Sequence, residues 1–189
     1  NYLTAIGTMA LDTNTTGSSN TGVGYQSMNN NTTGGYNTAV GQQALNSNTT
    51  ADNSCAYGYR SLYANTTGAE NCGYGVFSLF TNTTGTQNIA VGYGAMYVNT
   101  EGDHNTSVGT SSMGANTTGD KNVAVGYQAL KENTTATANT ALGAESLHAN
   151  TTGYSNAAVG FQALNDNTTG HSNTAVGSPC LESNTTGYQ

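Results

Sequence analysis

Residues 156–172 read N-A-A-V-G-F-Q-A-L-N-D-N-T-T-G-H-S, and Asn173 begins the same pattern again. Followed outward in both directions, the pattern recurs every 17 residues without insertion or deletion, giving eleven copies in 189 residues. A glycine marks each copy, from Gly7, Gly24, Gly41, Gly58 and Gly75 through Gly126 to Gly177. Four residues later stands Leu or Met every time, as in Leu11, Met28, Leu45, Leu62, Leu79, Leu130 and Leu181, and three further on an Asn, from Asn14 and Asn31 to Asn184. The consensus is N-T-A-V-G-Y-Q-A-L-x-x-N-T-T-G-x-x; its places are numbered one to seventeen below, from an Asn such as Asn37.

A short period without a helical pattern of apolar residues is the mark of a stacked-coil architecture. Places one to five and six to nine each alternate small and large side chains, which predicts two short strands. Glycine at places five and fifteen ends them, and N-T-T-G has the chemistry of a turn. The chain holds 33 Thr, 26 Asn and 25 Gly, a load that disfavours helix. The reading is an all-β protein, a parallel β-solenoid or β-roll of eleven 17-residue repeats, running as one continuous array over residues 1–189 and belonging to a longer fibre protein.

The charges support it. All thirteen charged residues, three Lys+Arg and ten Asp+Glu, fall at places seven, ten, eleven, fourteen, sixteen or seventeen, as with Arg60, Glu132 and Asp120. Like charges stacked one strand spacing apart repel, whereas columns of Asn, Thr, Val or Leu attract their own kind. The columns expected to hold the molecule are Gly41, Gly75 and Gly126 at place five, Leu45, Leu79 and Leu130 at place nine, and Asn48, Asn82 and Asn133 at place twelve. Both the small row (places three and eight) and the bulky row (places four and nine) exclude charge, so one is expected inside and the other outside, packed against a second copy; the alternative is a corner between places five and seven that turns both rows partly inward.

A net charge of −7 removes the clustered cations that a phosphate backbone requires, so nucleic acid is not an expected partner. No apolar run reaches the roughly 18 residues of a membrane helix. His104, His148 and His171 fall at three different places in three distant copies, and the carboxylates are equally scattered; no catalytic, metal or cofactor site is expected.

Three features are superimposed on the repeat. Place six is aromatic in every second copy, Tyr25, Tyr59, Tyr93, Tyr127 and Phe161, which points to a 34-residue double unit and a candidate contact stripe; one or two repeats per coil both fit. Cys55 and Cys72 share a place in successive copies, close enough for a disulfide but also suited to stacked free thiols. Asn-Thr-Thr is an acceptor for N-glycosylation in ten copies, including Asn14, Asn31, Asn65, Asn116, Asn150 and Asn167. The competing reading is an Asn ladder, since Asn99 persists where Glu101 breaks the acceptor.

The segment Asn37-Thr38-Ala39-Val40-Gly41 resembles the S-x-A-I-G pattern of trimeric autotransporter adhesin heads, which form a left-handed parallel β-roll. Val123–Asn139 and Ala157–Asn173 are similar to the T-A-V-G-Y-x-A-L repeats of phage tail fibres and bacterial surface fibres. The N-T-T-G corner makes this unit longer than the adhesin repeat. The resemblance spans the chain and implies a non-enzymatic structural protein of an extracellular fibre, on a cell-surface appendage or phage tail, acting as a rigid shaft or adhesin stalk. The expected partners are copies of itself and host or surface glycans. Alternatives are an ice-binding solenoid using Asn and Thr ladders, or a carbohydrate-binding fibre segment.

Overall fold

A computed structural model describes residues 2–188. Each repeat contributes one three-residue strand at places two to four, from β1 (Thr4–Ile6) through β4 (Cys55–Tyr57) and β5 (Cys72–Tyr74) to β11 (Thr174–Val176). The strands form one parallel sheet in sequence order. Every residue lies opposite its equivalent in the next copy, as Cys55 opposite Cys72 and Tyr57 opposite Tyr74. One repeat is therefore one coil, and the 34-residue alternation is a difference in decoration between coils of the same path. The molecule is an all-β parallel β-solenoid; eleven coils at a strand spacing of about 4.8 Å stack to roughly 50 Å.

The second expected strand, at places six to nine, is absent, and the coil turns there instead. The place-eight N–H donates to the place-five carbonyl of its own coil, as Ala44 to Gly41 at 3.2 Å. Residues at places seven and nine take left-handed angles, Phe77 at φ 58° and Leu79 at φ 50° for example, and a third left-handed file runs through place seventeen, including Gln87 at φ 57°. A left-handed residue is costliest when branched at Cβ. Accordingly none of the 33 Thr, and no Val or Ile, stands at places seven, nine or seventeen. The Asn and Gly of N-T-T-G, residue types that tolerate such angles, do not take them.

This turn decides what fills the interior. Places three, eight and nine all point inward: Ala39, Ala44 and Leu45 are each 0% exposed. The strand and the turn face one another, since a Cβ on Gly22 at place three would lie 3.4 Å from Leu11 Cγ and 3.5 Å from Met28 Cε, both at place nine. The expectation that the two rows separate, one inside and one outside, is corrected in favour of the corner alternative: the reversal between places five and eight brings the bulky place-nine row in beside the small one. Only the place-four part of the bulky row remains outside.

Since place nine needs both an inward apolar side chain and a left-handed backbone, Leu79→Ile is expected to cost about 1–3 kcal/mol although volume is conserved. Leu79→Met, a residue already present at Met28, Met96 and Met113, should cost under about 1.5 kcal/mol. Denaturant titration of the two variants checks the difference.

The rest of the interior is polar and satisfied. Asn82 Nδ2 donates to Asn65 Oδ1 at 2.7 Å and to the Gly85 carbonyl at 3.0 Å, while its Oδ1 accepts from Asn99 Nδ2 at 2.7 Å. The place-one Asn forms a second file: Asn88 Oδ1 accepts the backbone N–H of Asn105 at 2.9 Å, and its Nδ2 donates to the Gly102 carbonyl at 2.8 Å. Among the described residues no buried side-chain nitrogen or oxygen lacks a partner. Leaving such an amide unpaired costs about 1–3 kcal/mol, so these files specify the register of the coils.

Candidate interaction surfaces

The columns expected to be structural are interior or held by the ladder. Leu45, Leu79, Leu130, Asn48, Asn82 and Asn133 are all 0% exposed. Gly41, Gly75 and Gly126 each donate an N–H to the place-four carbonyl of the preceding coil, at 2.8 Å. The glycosylation acceptors belong to the same interior: Asn31, Asn65, Asn116, Asn150 and Asn167 are 0% exposed, and Asn14 is half-buried in the first coil. Their amide nitrogens are committed to the ladder, so in the folded coil these residues are ladder members, and attaching a glycan would break two hydrogen bonds and open the stack.

Burial of this file also changes the composition of the Asn/Thr array. The first Thr of N-T-T is half-buried and its hydroxyl donates along the rod, as Thr83 Oγ1 to the Thr100 carbonyl at 3.0 Å. In the coils between the first and the last, only the second Thr, as Thr84 or Thr118, is exposed. The exposed array is a single file of Thr, without the Asn.

Cys55 and Cys72, in register on β4 and β5, are free thiols, as is Cys180. Burial pushes the Cys72 thiol above its ordinary value near 9, and the neighbouring Cys55 adds to the rise by charge and by hydrogen bond. Thiolate formation, and with it reactivity, is correspondingly suppressed there. His104, His148 and His171 stay on separate parts of the surface, His171 stacked between Tyr154 at 4.7 Å and Tyr188 at 5.1 Å. Among the described residues no three His, Cys, Asp or Glu side chains converge as metal ligands. Among the described residues no helix is long and apolar enough to cross a membrane.

Two surfaces carry distinct chemistry. The first is the outer face of the sheet. At place four every coil presents Ile, Val, Leu or Tyr, from Ile6 to Val176, and in no coil is that side chain buried. Tyr57 and Tyr74 stack in this file with ring centres 4.7 Å apart.

The second surface is built by places six, seven and ten, which the turn brings side by side. The place-six stripe of Tyr25, Tyr59, Tyr93, Tyr127 and Phe161 is there, on alternate coils and therefore at about twice the ~4.8 Å strand spacing. Tyr25, Tyr93, Tyr127 and Phe161 are exposed and Tyr59 is half-buried. Near the middle of the rod the stripe widens into a patch the sequence reading did not assemble. Tyr63, Phe80 and Tyr97 at place ten stack nearly parallel at 5.4 and 5.1 Å. Phe77 at place seven stands edge-on to Tyr59 at 5.3 Å and to Phe80 at 5.4 Å. The Arg60 guanidinium lies 5.1 Å from the Tyr59 ring centre and 5.3 Å from that of Tyr63. Such contacts are each worth roughly 0.5–1.5 kcal/mol beyond burial.

No protein-family model, curated protein or solved structure matches this chain. Its class is accordingly defined by its own architecture: a single-sheet β-solenoid of uniform 17-residue coils with an apolar outer strand face and an aromatic turn face.

Proposed function

We propose that the chain is a shaft segment of an extracellular fibre, in which solenoids associate side by side through the outer face of the sheet. The observation that carries this reading is the place-four file. A position facing water in every coil is free to vary, and places ten and sixteen do vary in charge and size; place four remains apolar in all eleven coils. A continuous apolar strip on a sheet of uniform register favours a partner with the same repeat, and another copy of this chain supplies one. Inter-coil ladders on the strand, on the turn and in the interior make the rod stiff along its axis, which suits a spacer or stalk. The similarity to tail-fibre and adhesin repeats noted above supports the same placement.

The experiment is sedimentation analysis with electron microscopy of the purified segment. The expected result is an oligomer or filament with an axial repeat near 4.8 Å. Val91→Glu together with Val125→Glu, on coils that are not adjacent, should convert it to a monomer with an unchanged β spectrum. A wild-type chain that sediments as a monomer throughout would overturn the association, and rods lacking the axial repeat would overturn the shaft.

A further inference from the structure

We infer that the aromatic turn face binds an extended β-linked glycan, with one pyranose ring seated in a notch beside Tyr97. The place-ten stack of Tyr63, Phe80 and Tyr97 stops abruptly, because the next residue in that column is Gly114 and the one after it is Lys131. Gly94, at place seven beside Tyr97, also lacks a side chain. The two omissions leave a cavity of about 290 Å³ against Tyr93, Tyr97, Ser111, Lys131 and Glu132, close to the lower end of the roughly 300–1,000 Å³ of small-ligand sites. From Tyr97 to Lys131 is two coils, about 9.6 Å at the strand spacing, so the opening accepts one ring in the place of the missing side chain.

The walls select the kind of ring. On one side the uncovered face of Tyr97 offers an aromatic platform, extended by the apolar Val98 and Ala115; on the other is an ion pair, Lys131 Nζ to Glu132 Oε1 at 3.2 Å, with both side chains partly exposed. The Ser111 hydroxyl stands at the edge. A flat aromatic ligand would gain from a second apolar wall and would leave these polar groups desolvated without partners. A pyranose has an apolar C–H face to lay on Tyr97 and equatorial hydroxyls that both donate and accept, matching a cation, a carboxylate and a hydroxyl around its rim.

The stripe outside the notch points to a chain of sugars. Tyr59, Tyr93 and Tyr127 repeat at two coils, about 9.6 Å, close to the length of two residues in an extended β-1,4-linked glycan. A glycan lying along the rod can thus meet an aromatic ring at every second sugar. A coiled α-1,4-linked chain does not keep that step. The site lies in columns separate from the place-four file, so association through the sheet face is neither required by it nor tested by it.

The test is calorimetric titration of the intact chain with cellohexaose and chitohexaose, against maltohexaose and N-acetyltyrosinamide. The expected result is saturable binding of one or both β-1,4 hexasaccharides, at least ten-fold tighter than of maltohexaose. Gly114→Tyr, which continues the stack and refills the notch, should weaken that binding at least ten-fold in a chain that keeps its β spectrum and cooperative unfolding. The spectrum separates binding from folding in this variant: Tyr63 and Tyr97 already stand in the same column, Gly114 has no left-handed angle, and a Cβ there meets one atom closely, the Ser111 carbonyl oxygen at 3.3 Å. Tyr97→Ala should weaken binding comparably. Absence of binding by both β-1,4 hexasaccharides, equal binding of maltohexaose, tighter binding of the tyrosine amide, or unaltered affinity in folded Gly114→Tyr would each overturn the inference.

Discussion

Gly75→Ala is expected to break the rod in two. Gly75 has φ 137°, and a Cβ there would lie 2.5 Å from the carbonyl oxygen and 2.8 Å from the carbonyl carbon of Gly92 in the next coil. That carbonyl accepts the turn bond from the Ala95 N–H at 3.4 Å, and both glycines are tied into the inter-coil ladder: Gly92 donates to the Tyr74 carbonyl at 2.8 Å, and Gly75 to the Tyr57 carbonyl at 2.8 Å. Relief therefore requires the coils to move apart, and loss of the ladder is added to the conformational cost. Strain in this region and overlap in a packed site are each worth about 1–3 kcal/mol, for a total of about 3 kcal/mol or more. Because a solenoid is stabilised by nearest neighbours, damage at the fifth coil separates the coils on its two sides. The measurement is limited proteolysis with mapping of the first cut: cleavage should appear near residue 75, with a lowered melting temperature. A variant as protease-resistant as the parent would show that coil contact at place five is looser than described.

Leu79→Asp should be comparably severe for a different reason. Leu79 is 0% exposed, and the three cations of the chain, Arg60, Lys121 and Lys131, occupy surface places seven, seventeen and ten. No buried cation can pair with the new carboxylate. Removing the leucine costs about 2–5 kcal/mol, and burying the unpaired acid adds several more unless it takes up a proton. Burial raises the folded-state pKa of that carboxyl above its unfolded value near 4. The variant should therefore be least impaired below about pH 4, where the acid is neutral in both states, and lose relative stability as pH rises through the folded-state value. Parallel denaturant titrations of parent and variant at two pH values test this; an equal penalty at both would indicate that the site admits water.

Much of this architecture was legible because a stacked coil repeats each constraint eleven times. The Asn column shows it best: Asn99 remains where Glu101 has destroyed the glycosylation acceptor, and the structure places that amide between Asn82 and Asn116 as a link in the ladder. The turn at places six to nine was not legible by alternation. Ala44 followed by Leu45 reads as a strand pair pointing to opposite faces, and the same two residues point to one interior when the second has a left-handed backbone. The available signal was negative: a chain with 33 Thr never uses a β-branched residue at places seven, nine or seventeen. The aromatic patch was half legible. Tyr59 and Tyr93 follow from the stripe, but Phe80, Tyr97 and Gly114 are unremarkable members of a variable column until places seven and ten are known to lie side by side.

The sequence alone determined the period, the parallel register, the sheet class and the avoidance of charge in the stacked columns, because each is a relation between a residue and its own copy one coil away. The tertiary structure alone decided which rows face inward, that one repeat closes one coil, and that Gly94 and Gly114 open beside Tyr97. Those are relations across the coil, set by the angles at which the backbone turns between places five and nine, and a one-dimensional repeat carries no record of distances between different places.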